Sequence, residues 1–250
     1  MIVLGLDGLD FTYCRDHDFK HLLLKHHGRI EVPIHPVKGV PLSPSVWYSF
    51  LTGEWRGDLE FSQPLKLRIL KRVRKYVPIS LGLGRKTAGH FRYPPMNIDG
   101  SFIFHGWRAF NVPYVNLDLV DIEEILKLPR DDLMASQLIR ILMEQRHTFL
   151  QMVNGSSWVM GYFQFPDYIQ HLMKEALIYQ CYTILDYFVN EILRVDPYVT
   201  IVSDHGWSRL TDNHSMFGMY SSTIAFDPTP RRITEFHTIF HQMIRREKNG

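Results

Sequence analysis

Residues 2–8 read IVLGLDG, a short apolar run that stops at an aspartate and a glycine. An uninterrupted apolar run, rather than alternation with polar residues, marks a strand covered on both faces, as in parallel sheets packed between helices. Two further segments repeat the plan. Trp158 to Phe165 (WVMGYFQF) is followed by Pro166 and Asp167, and Tyr198 to Val202 (YVTIV) by Ser203, Asp204, His205 and Gly206. Helical patterns lie between and around them. Residues 16–27 run to a stop at Gly28, 65–76 form a basic amphipathic stretch, and 131–152 place apolar side chains at helical spacing after an acidic start. Residues 168–194 read as a second long helix and 231–246 as a basic terminal one. Strands alternating with helices define an α/β protein. The expected architecture is a three-layer sandwich, with a mostly parallel central sheet and helices on both faces. Residues 1–250 are expected to form one domain. Within it, about 54–113 reads as a loop-rich insertion, with Gly82, Gly84, Gly89, Pro94, Pro95 and Gly100 and little periodicity.

A chain of 250 residues can bury a sizeable core, and 45% apolar with 22% charged residues excludes disordered and fibrous classes. The formal charge of +2 argues against polymeric nucleic acid or an anionic membrane as the main partner. The local cluster of Lys71, Arg72, Arg74 and Lys75 reads as a solvated helix face. Cys14 and Cys181 make neither a disulfide framework nor a thiolate zinc site. The opening MIVLGL has no basic residues before it and is broken by Asp7, so it does not read as a signal peptide. No run approaches the roughly 20 apolar residues of a membrane-spanning helix. A soluble cytoplasmic protein is expected.

Each apolar run ends in an aspartate. In open α/β sheets functional groups collect beyond the carboxyl ends of the strands, so Asp7, Asp167 and Asp204 are expected to face one cleft. Three carboxylates held close repel one another, and a cation among them relieves the repulsion. Histidines occur where further ligands are needed. His171 lies four residues after Asp167, which puts both on one face of a helix. His205 follows Asp204 directly, and His214 comes nine residues later. Carboxylate oxygen with imidazole nitrogen and no thiolate suits zinc, manganese or iron better than calcium or magnesium. One metal would take Asp167, His171 and His214, and a second Asp7, Asp204 and His205. Among the other histidines, His26 and His27 read as surface residues at a helix end. His105 could touch substrate but reads rather as structural, and His237 with His241, four residues apart, could bind metal as a pair but lack a strand-end carboxylate. Ser43, in PLSPSVWYSFLTG at 41–53, reads locally as an N-cap with Pro44 opening a short apolar helix.

With these residues assembled, the sequence resembles the alkaline phosphatase superfamily, in its type I phosphodiesterase and nucleotide pyrophosphatase branch. The matching pieces are LGLDG at 4–8, LSPSVWYSFLTG at 42–53, FPDYIQH at 165–171 and SDHGW at 203–207, with RYPPMNIDG at 92–100 as a loop segment. Order and spacing agree from residue 1 to about 220. The resemblance implies an alkaline phosphatase-like fold and places Ser43 at the family's nucleophile, with Ser45 only a helix residue. It sets Asp7, Ser43, Asp204 and His205 around one metal, and Asp167, His171 and His214 around the other. Two departures are visible. EWRGD follows Thr52–Gly53 where many relatives continue Pro-x-x-His-Gly, and the last histidine of many relatives lies much further downstream. The third ligand of the second metal is therefore His214 or else His237 or His241. HSMFGMYSSTIAF, which resembles the family's His-x-x-Gly-strand segment, favours His214.

The implied activity is hydrolysis of a small phosphate ester, a nucleotide among the options. Two divalent ions, zinc first and manganese second, would assist attack by Ser43. The same chemistry serves a phosphomonoesterase, phosphonate hydrolase or sulfatase, and a metal-stabilised binding module without turnover is the reading of another class. A homodimer is left open.

Overall fold

A computed structural model describes the chain over residues 1–58, 102–105, 132–153, 158–172 and 174–249. In chain order the elements are β1 (Ile2–Leu6), α1 (Phe11–Asp16), β2 (His26–Glu31), α2 (Ser43–Thr52) and β3 (Phe102–His105). They continue as α3 (Asp132–Met152), β4 (Trp158–Phe163), α4 (Phe165–Gln170), α5 (Glu175–Val195) and β5 (Val199–Ser203). Then come β6 (Trp207–Ser208), β7 (Asn213–His214), β8 (Phe217–Ser222) and α6 (Glu235–Asn249).

The apolar run that opens the chain is the central strand, buried at every position. It pairs in parallel with β4 on one side, Ile2 opposite Val159, and with β5 on the other, Ile2 opposite Val199. The six-stranded order is β2-β8-β5-β1-β4-β3. The β3, β4, β1 and β5 pairings are parallel, whereas β8 lies antiparallel to both β5 and β2. The sheet is therefore mixed: three of its five pairings are parallel, and β8 runs against the other strands. The reason lies in residues 204–216, which form the small β6–β7 hairpin and carry no helix. A parallel return needs a long crossover, and this link only turns the chain back.

Helices cover both faces because successive strand side chains point to opposite sides. Ile2, Leu4 and Leu6 pack with α1, α3, α4 and α5, while Val3, Met160, Tyr162 and Val202 pack with α2 and α6. On the first face α5 buries Ile178, Cys181, Leu185, Phe188 and Ile192 at helical spacing. Phe188 and Phe149 meet Phe163 edge-on at 5.2 and 5.6 Å between centroids. Gly161 permits that packing, because a Cβ there would sit 2.5 Å from the Phe149 ring. Each such buried ring contributes on the order of 1.5–3 kcal/mol.

Three local readings change. Residues 16–27 are not a helix: α1 ends at Asp16, and His26 and His27 lie on β2. Pairing of β2 with β8, which sets Gly28 opposite Tyr220, outweighs the local helical spacing. The helix read over 168–194 is two, because α4 ends at Gln170, with His171 as its cap, and α5 starts after Lys174. The preceding strand also stops at Phe163, two residues early, because Pro166 sits in the first turn of α4. Cys14 and Cys181 are buried free thiols. Phe102–His105, inside the stretch read as a loop-rich insertion, forms the edge strand β3. The rest of that insertion beyond Asp58, with the 65–76 helix, its basic cluster and RYPPMNIDG, lies outside the described residues. Among the described residues no helix is long and apolar enough to cross a membrane.

Candidate metal centre

The parallel pairing of β1 with β4 runs on past both strands. Asp7 donates its N–H to the Phe163 carbonyl at 2.9 Å, and its own carbonyl accepts the Asp167 N–H at 3.0 Å. Asp7 and Asp167 are thus held side by side by backbone bonds. Gly8 follows at φ 74°, and a Cβ there would meet Asp167 at 2.9 Å, so only glycine fits that turn. The Gly8 N–H donates to Asp204 Oδ1 at 3.1 Å, which ties the end of β5 to the end of β1.

Two clusters result. In the inner one, His205 Nε2 lies 3.3 Å from Asp7 Oδ1 and 3.4 Å from Asp204 Oδ2, all three side chains buried. In the outer one, Asp167 Oδ1 lies 3.4 Å from His171 Nε2 and 3.5 Å from His214 Nε2. His171 caps α4 in helical conformation, so the four-residue spacing from Asp167 survives the end of the helix. The two clusters share a wall, because the His205 and His214 rings stack at 3.8 Å and 9°.

The donors fit divalent cations. His214 Nδ1 is 2.9 Å from the Pro41 carbonyl and His205 Nδ1 is 3.1 Å from the Gly206 carbonyl. Donation from each Nδ1 assigns the tautomer and leaves each Nε2 lone pair facing a carboxylate, the orientation of metal-binding histidines. Asp167 Oδ1 and Asp204 Oδ2 are buried with no hydrogen-bond partner among the described residues. A buried oxygen left so costs about 1–3 kcal/mol, more when charged. Within each triad the ligand atoms lie within 4.8 Å of one another. An oxygen and nitrogen set without sulfur suits zinc or manganese.

Charge is strained in the inner cluster. Burial, then the neighbouring Asp7, pushes the Asp204 carboxyl well above the usual range. Burial alone would lower the His205 imidazole, but Asp204, Asp7 and Asp167 together raise it to about 10. Burial would raise Asp167, yet the adjacent His171 ring and the charges of His205, His171 and His214 hold it below the usual range. Burial and the charge of His205 push His214 down. In a metal-free site protons offset the carboxylate charge, and a bound cation replaces them.

Ser43 is not the N-cap that its local sequence suggests. Leu42 takes that position, and its carbonyl accepts the N–H groups of Ser45 and Val46. Ser43 is the first helical residue of α2, with Pro44 behind it. Its hydroxyl faces the inner cluster, 3.1 Å from Asp7 Oδ1 and 3.1 Å from His205 Nε2. Ser45 is fully buried. His237 lies at the other end of α2, against Gly53, about 15 Å along the helix from Ser43, and His241 lies beside His237. They are not brought to Asp167 and His171, whereas His214 is.

Sequence reasoning missed the residues that hold these ligands. Tyr162 donates its hydroxyl hydrogen to Asp7 Oδ2. A tyrosine inside a buried strand needs a partner for its hydroxyl, and that signal was present. Asp10 caps α1 through the Tyr13 N–H at 2.7 Å and accepts the Trp207 N–H at 3.1 Å. It thereby joins the turn after Asp7 to the turn after His205. Gln170 donates to the Gly8 carbonyl at 2.9 Å and to the Tyr182 hydroxyl at 2.7 Å. Trp207 packs edge-on against His171 at 4.8 Å.

No family model matches the chain, and no curated protein does. Among solved structures it is similar to murine ectonucleotide pyrophosphatase/phosphodiesterase 5, at 13% identity over 84% of this chain and 58% of that one, with a TM-score of 0.44. The inactive form of that murine protein in complex with AMP gives 13% identity, the same coverage and a TM-score of 0.41. The C-terminal periplasmic domain of EptC from Escherichia coli, in complex with zinc, gives 9% identity over 94% of this chain and 80% of that one, with a TM-score of 0.40. The chain spans 58% of the length of the murine structures it matches. Likenesses this distant define neither family nor activity, so the chemistry rests on the site.

Proposed function

We propose that this chain is a metal-dependent hydrolase of phosphate esters, of the alkaline phosphatase superfamily and its type I phosphodiesterase and nucleotide pyrophosphatase branch. Ser43 is the nucleophile. Asp7, Asp204 and His205, with the Ser43 hydroxyl, hold one divalent ion, and Asp167, His171 and His214 hold the other. Zinc is the first choice and manganese the second. The observation that carries this reading is the serine hydroxyl 3.1 Å from the inner carboxylate and imidazole, beside two buried carboxylate oxygens that accept no hydrogen bond among the described residues.

Bound divalent ions would supply Lewis-acid stabilisation of a serine alkoxide and of phosphoryl charge. The chain's own groups do the positioning. Asp7 Oδ1 accepts the Ser43 hydroxyl hydrogen, which aims the oxygen away from the strand ends, and Tyr162 holds the other Asp7 oxygen. The Ser43 oxygen forms a bond to phosphorus and gives up its proton as the ester oxygen leaves and takes one, so that an alcohol and a phosphoryl-serine ester result. Water then attacks phosphorus, and the serine oxygen departs with one of the water's protons. The first turn of α2 presents the positive end of its peptide dipoles to the phosphoryl oxygens.

The substrate is a small phosphate diester or nucleotide. Hydrolysis of bis-p-nitrophenyl phosphate and of p-nitrophenyl phosphate, measured on zinc- and manganese-loaded protein, tests this. Faster turnover of the diester, lost in Ser43→Ala, is expected. Faster turnover of the monoester would move the protein to another branch. No turnover of any phosphate or sulfate ester would leave a metal-stabilised binding module.

A further inference from the structure

The two histidines of the outer cluster stand on elements outside the six-stranded sheet. His171 caps α4, and His214 lies on β7, one arm of a two-stranded hairpin with no third strand. A hairpin of this size is marginal by itself, so its place depends on what grips it. At the base, Asp10 accepts the Trp207 N–H at 3.1 Å, and Ser215 donates its N–H to the Gly206 carbonyl at 2.9 Å. Beyond Ser208 the turn is exposed over residues 209–213, and among the described residues Arg209 reaches back from it to the body of the protein.

The Arg209 guanidinium donates to Glu175 Oε1 at 3.0 Å, lies 2.9 Å from Oε2, and sits 4.9 Å from the Tyr13 ring centroid. The Tyr13 hydroxyl donates to the same Oε1 at 2.9 Å, and His17 Nε2 lies 3.9 Å from it. Glu175 is the first residue of α5, where the peptide dipoles favour a carboxylate. It follows His171 by four residues. The link therefore runs from the chain just after one outer ligand to the hairpin that carries the other. Within its span, Trp207 packs on His171 at 4.8 Å, and the His171 and His214 rings are centred 5.7 Å apart.

We propose that Glu175 and Arg209, braced by Tyr13, are positioning residues for the outer metal site. They hold the β6–β7 hairpin closed on the end of α4, so that His171 and His214 face Asp167 together. The inference rests on the outer triad binding the ion assigned to it above. Both partners of the ion pair are more than half exposed, so the link is modest in strength and sensitive to salt. It acts on a marginal element, and affinity at the outer triad scales with the fraction of hairpins that are closed. The inner triad follows β1 and β5 directly and does not depend on it.

The test titrates zinc into the full-length chain against a chromophoric chelator. Wild type is compared with Arg209→Gln, Glu175→Gln and the double variant. Each single change is expected to weaken the outer site about three- to fivefold and leave the inner site unaltered. The double variant should lose no more than either single one, since the two residues form one link. Arg209→Lys, which keeps the charge, should recover part of the loss. Potassium chloride at about 1 M should reproduce the loss in wild type and add little to the double variant. In chelated protein, amide hydrogen exchange over residues 207–214 should quicken in the same variants. Faster exchange with unchanged outer-site affinity would overturn the proposal and leave a link that only steadies the surface. Equal losses at both sites would overturn it too. His171→Asn separates this inference from the reading beneath it. If that variant binds zinc as wild type does, the outer site is absent and the inference falls with it. If it loses the weaker ion while the Glu175 and Arg209 variants hold that ion as tightly as wild type, only the inference falls.

Discussion

The inner and outer clusters use the same residue types and differ in depth. The Asp7, Asp204 and His205 side chains are 4%, 0% and 0% exposed, while Asp167, His214 and His171 are 15%, 14% and 45% exposed. The inner ligands sit directly on the ends of β1 and β5, where backbone pairing leaves no freedom. The outer ones combine a strand-linked aspartate with the end of α4 and the β6–β7 hairpin. Depth changes what the same chemistry costs. Without water to screen it, the inner cluster must protonate when empty, and Asp204 and His205 are shifted accordingly. The outer cluster keeps water as a partner for His171. A cation is therefore expected to be held tightly by the inner triad and exchanged readily by the outer one.

The largest effect should separate catalysis from binding. Ser43→Ala is expected to lower phosphodiester turnover by roughly 10³-fold or more while zinc counts stay as in wild type, since Asp7, Asp204 and His205 still hold the inner ion. Retained turnover would mean that water attacks directly, and the contact of Ser43 with the inner cluster would then be structural.

The next effect sets the two clusters against each other. Asp204→Asn keeps an oxygen for the Gly8 N–H and removes one of two facing carboxylates, so the chelated protein should melt no lower than wild type. Its zinc-dependent stabilisation from the inner site, about 2.7 kcal/mol at a hundredfold excess over Kd, should vanish. His171→Asn, at the exposed rim, should leave inner binding intact and release only the fast-exchanging ion. Equal losses from the two variants, read by calorimetric titration, would dissolve the distinction of depth.

Smaller effects probe the supports. Tyr162→Phe leaves Asp7 without its orienting hydroxyl and should weaken inner-site affinity about 10–100-fold with little change at the outer site. The visible spectrum of the cobalt(II)-substituted protein would report the altered inner geometry directly. Asp10→Ala removes the α1 cap and the bond to Trp207, with an expected cost of about 1–2 kcal/mol in urea denaturation. An affinity loss shared by both clusters would show that Asp10 registers the two ligand turns.

Much of the scaffold could be read locally. The runs ending at Asp7, Asp167 and Asp204 show their burial by lacking polar alternation, and the four-residue spacing of Asp167 and His171 survives because His171 keeps helical backbone angles. Other features had no local signature. Residues 16–27 carry helical spacing, yet His26 and His27 join β2 because β8 offers a pairing partner distant in sequence. Ser43 looks like a cap until its backbone is seen one position further into the helix.

The sequence by itself determined the α/β class, the strand-end aspartates and the pool of histidines, because each depends on patterning within a few residues. Only the tertiary structure decided that the sheet is mixed, that His214 rather than His237 or His241 meets Asp167, and that Tyr162 and Asp10 brace the ligand turns. Those outcomes depend on which strand ends lie side by side. Pairing across more than a hundred residues is settled by the packing of the whole sheet between its helices.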